Sequence, residues 1–200
     1  VQKHKRITFN GNGYTDEWVA EAARRGLPNL TSTPDALPCM VEQKNIDLFL
    51  RHHIFTEGEL RSRYVIALEN YCKTLRVEGR TLVAMVRQEF LPAVRRTAKE
   101  VADCLQSQRQ AMAGLPLEAQ ENLLARLSAG YASLSSQEKV LERDLEGASH
   151  IEDDLQAACY YRDTVLPDMA AVRSLADALE RDLPDSALPY PNYEQLLFSV

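Results

Sequence analysis

TEGELRSRYVIALENYCKTLRVEGRTLVAMVRQEFLPAVRRTAKEVADCLQSQRQA, residues 56–111, is the stretch whose reading decides the fold. Thr56 and Glu59 form an S/T-x-x-E capping box, in which each side chain satisfies a backbone N–H that the first helical turn leaves without a partner. Apolar residues then recur at Leu60, Tyr64, Leu68, Tyr71, Leu75, Leu82, Val86, Phe90, Val94, Val101 and Leu105. Steps of three, four and seven put them on one face of a helix. At about 1.5 Å per residue such a helix would span roughly 80 Å, so it needs long partners to bury that face.

Two later stretches supply them. Residues 116–147 carry Leu117, Leu124, Leu127, Tyr131, Leu134, Leu141 and Leu145 on a heptad seam, with Glu138 as its polar position. Residues 150–183 carry Ile151, Leu155, Ala158, Val165, Met169, Val172, Ala176 and Leu179, with Arg162 interrupting the seam. Arg162 either pairs with an acid on a neighbouring helix or snorkels outwards. Gly114-Leu115-Pro116 ends the first long helix, and short loops make the three antiparallel neighbours. Pro92 and Pro167 each fall inside a helix, remove one i→i−4 bond and predict a kink. FLPAVRRTAKEVADCL (90–105) and VLPDMAAVRSLADALE (165–180) echo one another around those prolines, which reads as convergent helix chemistry. The expected fold is mainly α, a long antiparallel three-helix bundle or coiled coil preceded by a small mixed segment.

That segment contains one strand candidate, residues 6–9, ending in Asn10-Gly11-Asn12-Gly13. A short helix over 15–25 comes next, capped by Thr15, with Trp18, Val19 and Ala22 as its apolar face and Gly26 after its end. Thr33 as N-cap with Pro34 behind it predicts a single helical turn. A further helix over 40–53 should bury Val41, Ile46, Phe49 and Leu50 and end in His52 and His53, where a cation suits the helix dipole. In the tail, residues 184–200, Pro184, Pro189 and Pro191 forbid a helix before a last turn. Tyr190, Tyr193, Leu196, Leu197 and Phe198 make that tail a docking segment, since such a dense apolar set would not stay solvated.

The totals narrow the function. The chain has 200 residues, is 45% hydrophobic and 26% charged, and carries a net charge of −6. A basic cluster limited to Lys3, His4, Lys5 and Arg6 argues against nucleic acid. No apolar run approaches the ~18 residues that span a membrane. Opening on Val1, without a signal-peptide pattern, the chain reads as a cytosolic fragment of a longer protein. Cys39, Cys72, Cys104 and Cys159 are too far apart for a C-x-x-C site, and the last three fall in apolar helical stretches as reduced, buried thiols. His4, His52, His53 and His150 make no zinc spacing, and there is no P-loop or G-x-G-x-x-G. Glu152-Asp153-Asp154 reads as the solvated first turn of a helix. No catalytic, cofactor or metal residue is identified in the sequence.

Three stretches resemble one family: HKRITFNGNGYTDEWVAEAARRGLPNLTSTPDALP (4–38), FTEGELRSRYVIALENYCKTLRVEGRTLVAMVRQEFLPAV (55–94) and LPYPNYEQLLF (188–198). They are similar to the C-terminal region of type III glutamine synthetase, the large bacterial form. The motifs are Asn10-Gly11 with Tyr14 and Trp18, Gly26-Leu27-Pro28-Asn29-Leu30, and Arg63-Tyr64 with Glu69-Asn70-Tyr71. Gly79 departs from the pattern, where Ala is expected, at a helix-propensity cost of up to about 1 kcal/mol. The resemblance implies a parent enzyme, an ATP-dependent glutamate–ammonia ligase working through a γ-glutamyl phosphate with Mg or Mn. It implies a cytoplasmic homo-oligomer of stacked hexameric rings, with catalytic residues upstream of Val1. It further implies that residues 1–55 end the catalytic domain, 56–183 form a non-catalytic helical domain, and 184–200 dock. The expected partners are the chain's own catalytic domain and neighbouring subunits. A free-standing helical adaptor, binding a partner along its bundle, is the alternative from a different class.

Overall fold

The computed structural model describes residues 8–191 and 193–198. The capping box closes as its residues require: Glu59 Oε2 accepts the Thr56 N–H at 2.7 Å, and Thr56 Oγ1 accepts the Glu59 N–H at 3.3 Å. The chain folds into two compact units, residues 1–64 and 65–200.

In the first unit, α1 (Asp16–Arg24) follows Thr15, whose hydroxyl donates to the Asn12 carbonyl instead of capping the helix. Trp18 stacks on Phe9 with ring centroids 4.4 Å apart, while Val19 is exposed. The turn α2 (Thr33–Ala36) is capped by Ser32, which accepts from the Asp35 N–H, and not by Thr33. A 3₁₀ segment, Leu37–Val41, then leads into α3 (Gln43–Arg51), so the helix expected over 40–53 is broken at its start. Ile46 is fully buried, but Leu50 is exposed. His53 takes φ +53°, and Ile54 N–H reaches back to the Phe49 carbonyl at 3.0 Å. This left-handed residue stops the helix, a role usually given to Gly. Residues 6 and 7 of the strand candidate lie outside the described residues; residues 8 and 9 are not in a strand.

The second unit is built from three long helical stretches. The first is α4 (Glu57–Met85), whose start lies in the first unit, then a π turn (Val86–Phe90) and α5 (Leu91–Ala111). The middle is α6 (Glu118–Ala148). The third is α7 (Asp154–Tyr160), a second π turn (Tyr161–Val165) and α8 (Leu166–Glu180). Asp153 caps α7 by accepting the Gln156 N–H at 2.8 Å, so the third helix starts after the expected His150. A short 3₁₀ turn, Asp185–Ala187, and α9 (Tyr193–Phe198) complete the chain. Each π turn stands directly before a Leu-Pro pair. Leu91 N–H bonds five residues back to Val86, and Leu166 N–H to Tyr161. An i→i−5 bond widens the helix by one residue where the proline ring would press on the carbonyl four residues back.

One core joins the three stretches: Leu75, Val86, Phe90 and Val94 meet Leu127, Leu134, Leu141 and Leu145, which meet Val165, Val172 and Leu179. Arg87 pairs with Glu142 and Arg109 with Glu121, in opposite order along the two stretches, so α6 runs antiparallel to the first. Gln137 with Asp168 and Arg126 with Asp182 show the same for α6 and α8. Glu138, the polar seam position, is buried and bonded to Arg87 at 2.5 Å. Arg162 is half-buried and forms an ion pair with its own neighbour Asp163 at 2.6 Å, within the π turn. Cys104 is exposed and Cys72 and Cys159 are half-buried, so the thiols are less sheltered than their apolar neighbours suggest. A Cβ built on Gly79 would stand 2.8 Å from Leu145, and one on Gly130 would stand closer still to Leu179. Both glycines are places where a neighbouring leucine enters the helix surface.

Leu127 and Leu141 are fully buried. Leu127→Ala and Leu141→Ala should each cost about 2–5 kcal/mol in urea unfolding. Losses below about 1 kcal/mol at both would put the seam on another face. Gly130→Ala gains up to about 1 kcal/mol of helix propensity but overpacks Leu179, which costs about 1–3 kcal/mol. A net loss of stability is expected, and a net gain would show that Leu179 moves aside freely.

Candidate functional site

The tail and its cleft are the candidate site. Leu82, Met85, Val86 and Phe90 form one wall, and Ala176 with Glu180 of α8 the other, around a cleft of about 250 Å³. The first wall is the end of α4 and its π turn, so the widened helix shapes the groove. Arg173 and Asp177, ion-paired at 2.6 Å, sit on the α8 side.

The expected docking residues separate. Tyr190 enters the cleft half-buried, and its hydroxyl donates to the Met85 carbonyl at 3.1 Å. That carbonyl stands just before the π turn, where the ladder changes from i→i+4 to i→i+5 bonding. Leu196 also lines the cleft, at its edge, and stays 58% exposed. Leu197 and Phe198 are 77% and 75% exposed and do not line this cleft. The Tyr193 side chain lies outside the described residues. Leu188 lines the cleft beside Tyr190, although its sequence position gave it no role. Its backbone is extended. Residues two apart on an extended segment share a side, and that period was the available signal.

Burial first, then the nearby charge of Glu89, push the Tyr190 phenol up to about 12. The site is therefore an apolar slot closed by a neutral hydroxyl, a geometry that holds a segment in place. Among the described residues, no group of three or more His, Cys, Asp or Glu is arranged to hold a metal ion. No helix among them is long and apolar enough to cross a membrane.

A helical bundle that clasps its own tail is the class of domain this geometry defines. A family model described as glutamine synthetase C-terminal domain matches residues 1–109, more than half of the chain, and the chain belongs to that family. It is 40% identical over 98% of its length to the glutamine synthetase of Butyrivibrio fibrisolvens. It is 31% identical over 98% of its length to the type-3 glutamine synthetase of Dictyostelium discoideum, and 30% over 96% to the glutamine synthetase of Bacteroides fragilis strain YCH46. The chain spans only 28%, 27% and 27% of those relatives respectively.

Tyr190→Phe removes the hydroxyl bond and should lower stability by about 0.5–1.5 kcal/mol near neutral pH. Because the folded phenol titrates above its ordinary value, the contribution is full below about pH 10 and lost as pH rises towards 12. Unfolding of both proteins at pH 9 and pH 11 should show the gap closing. A gap that widens with pH would contradict the assignment of the hydroxyl as donor.

Proposed function

We propose that the chain is the C-terminal part of a type III glutamine synthetase and is itself non-catalytic. In this reading residues 1–55 complete the catalytic domain, 56–183 form an accessory helical domain, and 184–200 are its docking tail. The parent phosphorylates the γ-carboxylate of glutamate with ATP and a divalent Mg or Mn ion, and ammonia then displaces phosphate to give glutamine. The parent works in the cytoplasm as a homo-oligomer of hexameric rings, and the chain's role there is structural or regulatory.

One observation of the chain carries the reading beyond the family. In the first unit Tyr14, Val19, Leu27, Leu30, Leu48, Leu50 and Ile54 are exposed, against Ala22, Ile46 and Leu60 as its buried hydrophobic residues. More large apolar side chains are exposed than buried here, which fits a unit whose surface another body covers. The relatives, more than three times as long, offer that body in the remainder of their own chains. Leu197 and Phe198 present a second apolar contact at the other terminus.

The purified chain should form no glutamine from glutamate, ammonia and ATP with Mg or Mn. Turnover that survives removal of host enzyme would overturn the reading. Leu27→Asp with Ile54→Asp should leave the helicity of the isolated chain unchanged. Introduced into a longer protein that carries it, the same pair should weaken assembly and activity. Unchanged assembly would mean that the exposed face is not an interface.

A further inference from the structure

Five side chains meet where α6 faces the second π turn. Gln137, Arg143 and Asp144 come from α6, and Tyr160 and Asp168 bracket the π turn. Asp144 is 8% exposed. Arg143 holds both of its oxygens, Nε to Oδ1 at 2.9 Å and Nη2 to Oδ2 at 3.0 Å. The Tyr160 hydroxyl stands near the same carboxylate and favours its charge. Asp168 is held differently. Gln137 Nε2 donates to its Oδ1 at 3.1 Å, while its Oδ2 is sealed from solvent with no donor. The group it faces is the Asp144 carboxylate. Two carboxylates in that position cannot both stay charged at ordinary cost. A proton on Asp168 Oδ2 makes the orphan atom a donor to Asp144, and Arg143 with Tyr160 already favour charge on Asp144.

We propose that Asp144 and Asp168 share one proton, carried by Asp168, and form a pH-sensitive clasp that fastens the second proline-bearing helix to α6. The groups facing the pair are Arg143 on α6 and Tyr160 at the end of α7, with Gln137 as an uncharged donor. The directions agree with the geometry. Arg143, ahead of other causes, holds the Asp144 carboxyl below its usual range, whereas burial and then Asp144 push Asp168 above its own. A raised carboxyl stabilises the fold at low pH and loses that contribution as pH rises through its folded value; the lowered partner does the opposite. The clasp is therefore tightest between the two, and alkalinisation loosens it by placing two like charges side by side.

Asp168→Asn mimics the protonated acid, with an amide N–H₂ in place of the O–H. Urea unfolding of the chain and this variant from pH 4 to pH 8 should show the variant gaining on the parent as pH rises. A difference that stays constant, or a variant that loses ground to the unsubstituted chain as pH rises, would overturn the clasp. Carboxyl ¹³C titration gives a reading that does not need this variant. The Asp168 midpoint should lie above that of Asp144 in the unsubstituted chain and move down in Asp144→Asn. An Asp168 midpoint at or below that of Asp144 would overturn the proposal, as would one indifferent to Asp144→Asn.

Discussion

A proline inside a helix has no N–H to give, and its ring presses on the carbonyl one turn back. This chain meets that constraint twice, at Pro92 and Pro167, and answers it each time with a π turn that ends at the residue before Leu-Pro. The answer has consequences beyond local geometry. An extra residue in the turn rotates the helix beyond it, so Val86 with Phe90, and Tyr161 with Val165, reach the core. The first π turn also puts Arg87 against Glu138 and Glu142 of α6. Just ahead of it, the Met85 carbonyl receives the tail hydroxyl. Tyr160 and Asp168 flank the second π turn and meet Asp144 of the same helix. The tail cleft and both polar clusters thus adjoin the two proline adaptations.

Much of this was legible because it repeats locally. The Thr56–Glu59 box spans three residues, and the seam of Leu127, Leu134 and Leu141 has a seven-residue period; all three leucines are fully buried. The echo around the prolines was legible as a pattern, and the kinks expected there marked the two places where the helix departs from α geometry. Its π turns were not, because a break and a widened turn remove the same bond in sequence. Ser32 displaced Thr33 as a cap because both are good caps, and the backbone chose the one that reaches Asp35 N–H. Leu50 and Cys104 sit in apolar stretches but outside the packed stripe, which composition cannot resolve. In the tail, the apolar density was legible but its division was not. Tyr190 and Leu196 line the cleft, while Leu197 and Phe198 stay exposed, and that split depends on groove shape far away in sequence.

Gly79 illustrates how a local cost becomes a gain in packing. By helix propensity it is a poor choice at that position. Yet Leu145 of α6 lies where an alanine methyl would need to be. The same exchange recurs on the opposite interface with the roles reversed, since Gly130 belongs to α6 and Leu179 to α8. Close approach of this kind fixes axial register, because a leucine displaced by one turn meets a side chain in place of a gap.

The two sides of α6 are then alike in packing, and each has a crossing ion pair, but only the third stretch adds a contact between two acids. Towards the first stretch, Arg87 faces two carboxylates, chiefly Glu142, and its guanidinium is driven further above its ordinary value while Glu142 falls below its own. That pairing keeps its charges throughout the neutral range and beyond, so it is insensitive to modest pH change. Towards the third stretch, α6 offers Asp144 to another acid, and the guanidinium that holds Asp144 comes from α6 itself. An ion pair that crosses the interface pulls two helices together at any pH where both charges exist. At Asp144 the ion pair lies within α6, so there the crossing contact to Asp168 is left to the shared proton, while Arg126 with Asp182 supplies a charged crossing pair further along. The Asp144–Asp168 contact is consequently the part of that interface whose strength follows pH, and it lies beside the π turn, where the helix ladder is least regular.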